Sequence, residues 1–441
     1  RWYGQSGTPV VTARGEFDPA SRRSALTFSQ QTPATHDQAC KQPLVIPIAV
    51  GMMTAAGSAL PLRLEGETSS AQTSRLLVLD RAEQTFVFEN VGERPIPSLL
   101  RGFSAPVRLD YPYTSEELAS LLAHDEDAFA RWEAGQQLAI REILANVERL
   151  AAGEAMCLAT ATVDAFEALL EDRESDPALL AEMLILPWEQ YLGEQMPVID
   201  VDGIHAARQF VRRELAGLLR TGFAARYHDL EIEAYSKEPQ AMARRSLRNA
   251  CLTYLLDCAG GPELALRQLQ ASDNMTDTLA ALQCLVWTNA PAAGEALERF
   301  EKRWRDDSLV MNKWFSIQAA IPGADTAARV RSLLQHPAFS LTNPNKVRSL
   351  IGVFSKLNPT GFHAADGSGY RLLSEQVIRL DAFNPQVAAR MVAAFNPWTR
   401  YDAGRRKLMK AEIKRIAASD GLSHDVGEIV GNALQMNESK E

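Results

Sequence analysis

The chain changes its periodicity at about residue 110, and that change limits what it can fold into more than any other feature. Before it come short runs rich in β-branched and aromatic residues: Thr8–Thr12, Ala25–Ser29, Leu44–Val50, Leu76–Leu79 and Thr85–Val91. Leu44, Ile46, Ile48 and Val50 alternate with their neighbours, as do Phe86 and Phe88, so each run buries one face. Turn chemistry at Gly15-Glu16, Asp18-Pro19, Thr32-Pro33, Gly57-Ser58 and Gly92-Glu93 separates them, and prolines 95, 97, 106 and 112 mark the exit. Short strands at this spacing, with no helical period among them, predict a small β-sandwich over 1–110.

From 111 to 441 the pattern is helical throughout. Thr114-Ser115-Glu116-Glu117 is a capping-box start, and the helix it opens is expected to reach Trp132. Further helical patterns cover 136–150, 163–171, 177–186 and 204–219, then 241–256, 262–269, 276–287, 292–304 and 312–320. Short connections, many holding Pro or Gly, favour stacked antiparallel helices. No fixed sequence period emerges, so the array is irregular rather than a named repeat family. The fold class expected is multidomain β plus α: a small immunoglobulin-like β-sandwich, then a large all-α array of stacked antiparallel helices, superhelical and ARM/HEAT-like in its stacking. Asn437–Glu441 reads as a loose tail.

Within the array, Asn343–Pro359 (NPNKVRSLIGVFSKLNP) has an echo at Asn384–Pro397 (NPQVAARMVAAFNP). Each opens with Asn at the N-cap and Pro at the first helical position, and each closes at a second Asn-Pro. Val347, Leu350, Ile351 and Phe354 form a buried stripe in the first. Arg348 lies about 100° from Val347, near the positive helix end. Gln386 and Arg390 share a face of the second, while Val387, Met391 and Phe395 mark its packed side. Two helix starts bearing arginine suit a carboxylate or a peptide end. The commoner reading of such arginines is a solvated face.

Composition sets outer bounds. A formal charge of −9 argues against phosphate-backbone binding as the main task. No apolar run reaches membrane-spanning length and no signal-peptide pattern opens the chain. Five cysteines without C-x-x-C spacing read as reduced residues of a cytoplasmic protein. A chain opening Arg1-Trp2-Tyr3, without an initiator methionine, reads as a piece of a longer protein. Of the seven histidines, the closest pair, His205 and His228, are too far apart in sequence for the two-histidine helix of zinc peptidases. No G-x-S-x-G elbow, P-loop or G-x-G-x-x-G occurs. Asp366-Gly367-Ser368-Gly369 reads as a surface turn more readily than as a binding loop. Trp287, Trp304 and Trp314 read as core, and Arg400–Lys410 as a solvated helix face.

Several segments carry a family resemblance. RWYGQSGTP at 1–9, QQTPATHDQACKQPLVIPIAV at 30–50 and AEQTFVFENV at 82–91 resemble the β-sandwich domain of bacterial aminopeptidase N. SLRNACLTYL at 246–255, NMTDTLAAL at 274–282, SLVMNKWFSIQA at 308–319, NPNKVRSLIGVF at 343–354, HAADGSGY at 363–370 and NPQVAAR at 384–390 resemble its C-terminal helical domain. The resemblance implies the C-terminal half of a thermolysin-like zinc aminopeptidase, which removes N-terminal residues from peptides. The family's H-E-x-x-H helix, third zinc ligand, G-x-M-E-N segment and catalytic tyrosine have no counterpart here. The expectations that follow are no cofactor and no catalytic residue in this chain, with Zn2+ held by upstream domains that would be its partners. Peptides would be substrates, and nucleic acid and membrane would not be partners. Arg348, Gln386 and Arg390 match positions lining the active-site chamber from the helical cap. The two arginines would meet the substrate's carboxyl side or backbone carbonyls, and Gln386 would hydrogen-bond near the peptide. A fragment of this kind should expose an apolar patch, near Trp2, Tyr3 and the outer face of the β-domain. The competing reading is a stand-alone helical array that binds peptides or proteins without cleaving them.

Overall fold

A computed structural model describes residues 2–68, 72–231 and 234–438. Among the described residues the sandwich holds seven strands: β1 (Val10–Asp18), β2 (Arg23–Gln31), β3 (Ile46–Met53), β4 (Ser74–Leu79), β5 (Glu83–Phe88), β6 (Ile96–Leu99) and β7 (Arg108–Asp110). One sheet runs β5-β2-β1-β7 and the other β4-β3-β6. Every pairing is antiparallel except β1 with β7. Val11, Ala13, Leu26 and Phe28 point inward from one sheet, and Ile46, Ile48, Val50, Leu77 and Leu79 from the other. The alternation at 44–50 thus marks the core face, as its period requires.

Two turn expectations need correction. Gly15-Glu16 is not a turn but the middle of β1, paired with Leu26 and Ala25. Glycine is there because a Cβ would come within 2.7 Å of the Tyr111 hydroxyl. The hairpin turn falls instead at 19–22, after Asp18, whose carboxylate accepts the Ala20 N–H at 2.9 Å. Pro97 does not mark an exit: it lies in β6, opposite Met52, on an edge strand where a missing N–H is tolerated.

The capping box forms as expected: Thr114 accepts from Glu117 N, and the Glu117 carboxylate accepts from Thr114 N. The helix, however, ends at His124, and the next runs Ala128–Ala151. The break comes from Asp125, whose buried carboxylate meets the buried Arg101 guanidinium at 2.8 Å. A partner 24 residues away overrides the helical periodicity.

By packing, the chain divides into two compact units, Arg1–Glu142 with Leu158–Leu186, and Ile143–Cys157 with Pro187–Glu441. The second is an array of short helices, each packed on its sequence neighbours. Their starts repeat one device: Asp200, Asn274, Asp307, Asn343, Asn358, Asn384 and Asp402 each accept a backbone N–H of the first turn. Helices also form at 220–229, 326–333 and 368–381, which the individual helical patterns did not delimit, and the expected helix of the basic run spans 403–417. All five cysteines are free. Trp314 is core, whereas Trp287 is 38% exposed. Of the expected tail, residues 437–438 close the final helix, His424–Glu438, and 439–441 lie outside the described residues. Among the described residues no helix is long and apolar enough to cross a membrane.

Candidate functional site

The two Asn-Pro stretches are neighbouring helices in the array. Asn343 accepts from Asn345 N at 2.9 Å, Pro344 takes the first helical position, and Val347, Leu350, Ile351 and Phe354 are wholly buried. The helix is not uniform: an α turn, Pro344–Val347, passes into a π segment, Arg348–Gly352, and then Val353–Leu357. Nothing in the residue spacing announces that π segment, and such segments often mark functional positions. Asn384 caps Pro385–Val392 by accepting from Val387 N at 3.2 Å. The two helices touch where Gly352 faces Met391; a Cβ on Gly352 would sit 3.7 Å from the Met391 sulfur.

Arg348, Gln386 and Arg390 are all exposed on these adjacent helices. Arg348 opens the π segment and donates to the Asn345 side-chain oxygen. Arg390 makes no ion pair among the described residues, so its guanidinium is open to an incoming acceptor. The solvated-face and ligand-facing readings both begin from this exposure.

A cavity of about 360 Å³ lies beside the C-terminal ends of the same helices, between them and the 189–204 segment. His363 and Tyr401 line one side, Glu189 and Val201 another. His363 is buried, with Nδ1 2.9 Å from the Tyr370 hydroxyl and Nε2 3.0 Å from that of Tyr401. Burial, assisted by the Arg405 charge, depresses its pKa to about 3. Burial likewise pushes the Tyr401 phenol up to about 12. The imidazole is therefore neutral at physiological pH, with both nitrogens occupied; it braces the wall and is not free to take a substrate proton.

Sequence reasoning missed this cluster, since its partners stand 7 and 38 residues from His363. Asp366 lies in the exposed turn expected there, whereas the basic run departs from expectation. The Asp366–Gly369 stretch is a tight entry into the 368–381 helix: Gly367 has φ +69°, and a Cβ on Gly369 would strike the Phe362 carbonyl at 2.2 Å. The basic run is only partly solvated. Arg400 donates to the carbonyls of Gly193, Glu194 and Met196, and Arg405 pairs with Asp202 at 2.8 Å and Asp402 at 3.0 Å.

Among the described residues no group of three or more His, Cys, Asp or Glu side chains is placed to hold a metal ion.

An Ig-like sandwich followed by an ARM-like array defines the class. A family profile described as a domain of unknown function with an Ig-like fold (DUF3458) matches residues 7–112, and one described as a domain of unknown function with ARM repeats (DUF3458_C) matches 115–435. The chain belongs to this DUF3458 family. It is 41% identical over 436 residues to aminopeptidase N of Escherichia coli strain K12, covering 98% of this chain and 50% of that protein. Aminopeptidase N of Haemophilus influenzae is 39% identical over 435 residues, covering 99% and 50%. The crystal structure of Legionella pneumophila aminopeptidase A in complex with aspartic acid superposes with a TM-score of 0.85 at 31% identity, over 99% of this chain and 50% of that one. The chain spans about half the length of these relatives, matching their C-terminal half. The resemblance read from the sequence segments holds along the whole chain.

Proposed function

We propose that the chain is the C-terminal, non-catalytic portion of a zinc-dependent aminopeptidase that removes N-terminal residues from peptides. In this reading the sandwich occupies 1–110 and the helical domain 111–441. The helical domain caps the active-site chamber and orients the peptide, and the catalytic domain that it caps carries the zinc. Arg348 and Arg390 meet the peptide's carboxyl side or its backbone carbonyls, and Gln386 hydrogen-bonds beside it. The setting is cytoplasmic, in keeping with five free cysteines.

The observation that carries this reading is the exposure of all three side chains on two touching Asn-capped helices, inside a chain 41% identical to half of an aminopeptidase. A closed chamber would admit unfolded peptides and exclude bulk water from a metal centre. The test mixes the purified chain with the separately expressed N-terminal half of the E. coli relative. Hydrolysis of an alanine chromogenic substrate and bound zinc are then measured. The chain alone should show neither turnover nor stoichiometric zinc, and the mixture should recover activity. In the mixture, Arg390→Ala should raise KM about tenfold with little change in kcat, as expected when a charge-assisted contact made equally in ground and transition states is lost. Turnover by the chain alone, free of contaminating enzyme, would sink the proposal. Peptide binding by the chain, with no activity recovered on mixing, would favour the stand-alone binding module instead.

A further inference from the structure

Away from the two Asn-Pro helices, a small cavity of about 100 Å³ opens beside the Pro239–Leu255 helix. Arg245 and Arg248 line it, together with Gln268, Asp277, Glu231 and Asp273. Arg245 is 5% exposed, and its guanidinium has no hydrogen bond or ion pair among the described residues. The Tyr235 ring centroid lies 5.2 Å from its guanidinium carbon. A buried guanidinium without a directly paired counter-charge is costly, and proteins seldom keep one without something to pair with it.

Among the described residues, none of the acids at the cavity forms an ion pair with Arg245. Asp277 is already held by two amides, Asn249 Nδ2 on one oxygen and Asn274 Nδ2 on the other, each at 2.9 Å. Glu231 is exposed and comes no closer than 3.9 Å to Arg248, and Asp273 is exposed at the mouth. Arg248 is held over the Tyr227 ring and bonds its hydroxyl at 3.0 Å, leaving its Nε without a partner. The cavity therefore has unsatisfied cationic donors in its floor and exposed carboxylates at its rim, Glu231 at 3.9 Å from Arg248 and Asp273 accepting from Asn274 Nδ2 at 3.1 Å.

We infer that this cavity is a binding site for a small free α-amino acid, whose carboxylate sits on Arg245 and whose ammonium faces Asp273 and Glu231. A planar carboxylate matches the guanidinium fork. A dianion such as phosphate would fit the floor but face three carboxylates, whereas a zwitterion satisfies both ends. The volume, that of roughly three liquid waters at ~30 Å³ each, limits the ligand to a small side chain. The site holds whether or not the chain forms part of a peptidase.

Isothermal titration calorimetry of the whole chain tests it, with L-alanine, L-alaninamide, acetate and inorganic phosphate as separate titrants. L-alanine should bind, and alaninamide and acetate should each bind about tenfold more weakly, having lost one charged pair. Arg245→Gln should abolish L-alanine binding. Asp273→Asn, at an exposed side chain that does not support the fold, should weaken L-alanine several-fold and leave acetate unchanged. Absence of L-alanine binding at millimolar concentration would overturn the inference. So would binding of phosphate in preference to L-alanine, or equal affinity for alanine and alaninamide. Should Arg245→Gln fail to fold, the response of Asp273→Asn decides the matter.

Discussion

His363 shows what a single residue contributes and how little of it was visible in the sequence. Its ring is clamped between Tyr370 and Tyr401, and its main-chain oxygen accepts from Arg405 Nε at 2.8 Å. Because burial lowers its folded pKa to about 3, from an ordinary 6.5, the unfolded chain binds a proton there that the folded chain refuses. The stabilisation is thus complete above pH 6.5 and is lost progressively as the pH falls toward 3. The limiting slope is about 1.4 kcal/mol per pH unit. His363→Gln should lower the melting temperature at pH 7.5 but flatten its decline between pH 6.5 and 5. Parallel melting-temperature curves for the two proteins would show that His363 is not the group responsible. The sequence offered no hint of this cluster, because a tyrosine 38 residues away has no periodic relation to a histidine.

At the scale of elements, legibility followed locality. The Asn-Pro caps at 343 and 384 were readable because cap and capped N–H lie within three residues of each other, and both form; Asn358, read only as the close of the first stretch, also caps the short helix that follows it. The π segment and the break at Asp125 were not, since one depends on how the turn packs and the other on Arg101. The caps are also not equivalent. Asn384 supplies only its cap bond, whereas Asn358 is buried and its amide additionally donates to the carbonyls of Ala319 at 2.9 Å and Ile321 at 2.6 Å. Asn384→Ala should therefore cost about 1 kcal/mol, and Asn358→Ala about 3 kcal/mol, as a cap and two buried bonds are lost together. Urea midpoints at unchanged slope measure both; equal losses would mean that the bonds to 319 and 321 contribute nothing.

At the scale of the whole molecule, the two-part architecture was legible because the period changes once, near residue 110, and alternation and helical spacing cannot be confused over runs this long. The apolar patch was expected near Trp2 and Tyr3. Trp2 is half-buried, with its indole N–H donating to the Val45 carbonyl at 2.9 Å, and Tyr3 is fully exposed. The apolar surface extends from Val45 across β3 and β4, where Leu76 is 63% exposed and Val78 45%, with Pro47 and Ala49 opposite them. On an edge strand such a face invites a partner, and the relatives carry as much chain again as this one. Under the proposed function, that missing half covers the sheet face. Leu76→Asp combined with Val78→Asp alters only exposed positions, so the stability of the isolated chain should change by no more than about 1 kcal/mol. The same pair should prevent recovery of aminopeptidase activity on mixing with the N-terminal half, because two carboxylates would be buried without partners. Arg390→Ala, by contrast, should still assemble and fail only in KM. Full recovery by the double variant would remove the sheet face as the docking surface while leaving the chamber-facing role of the arginines untouched.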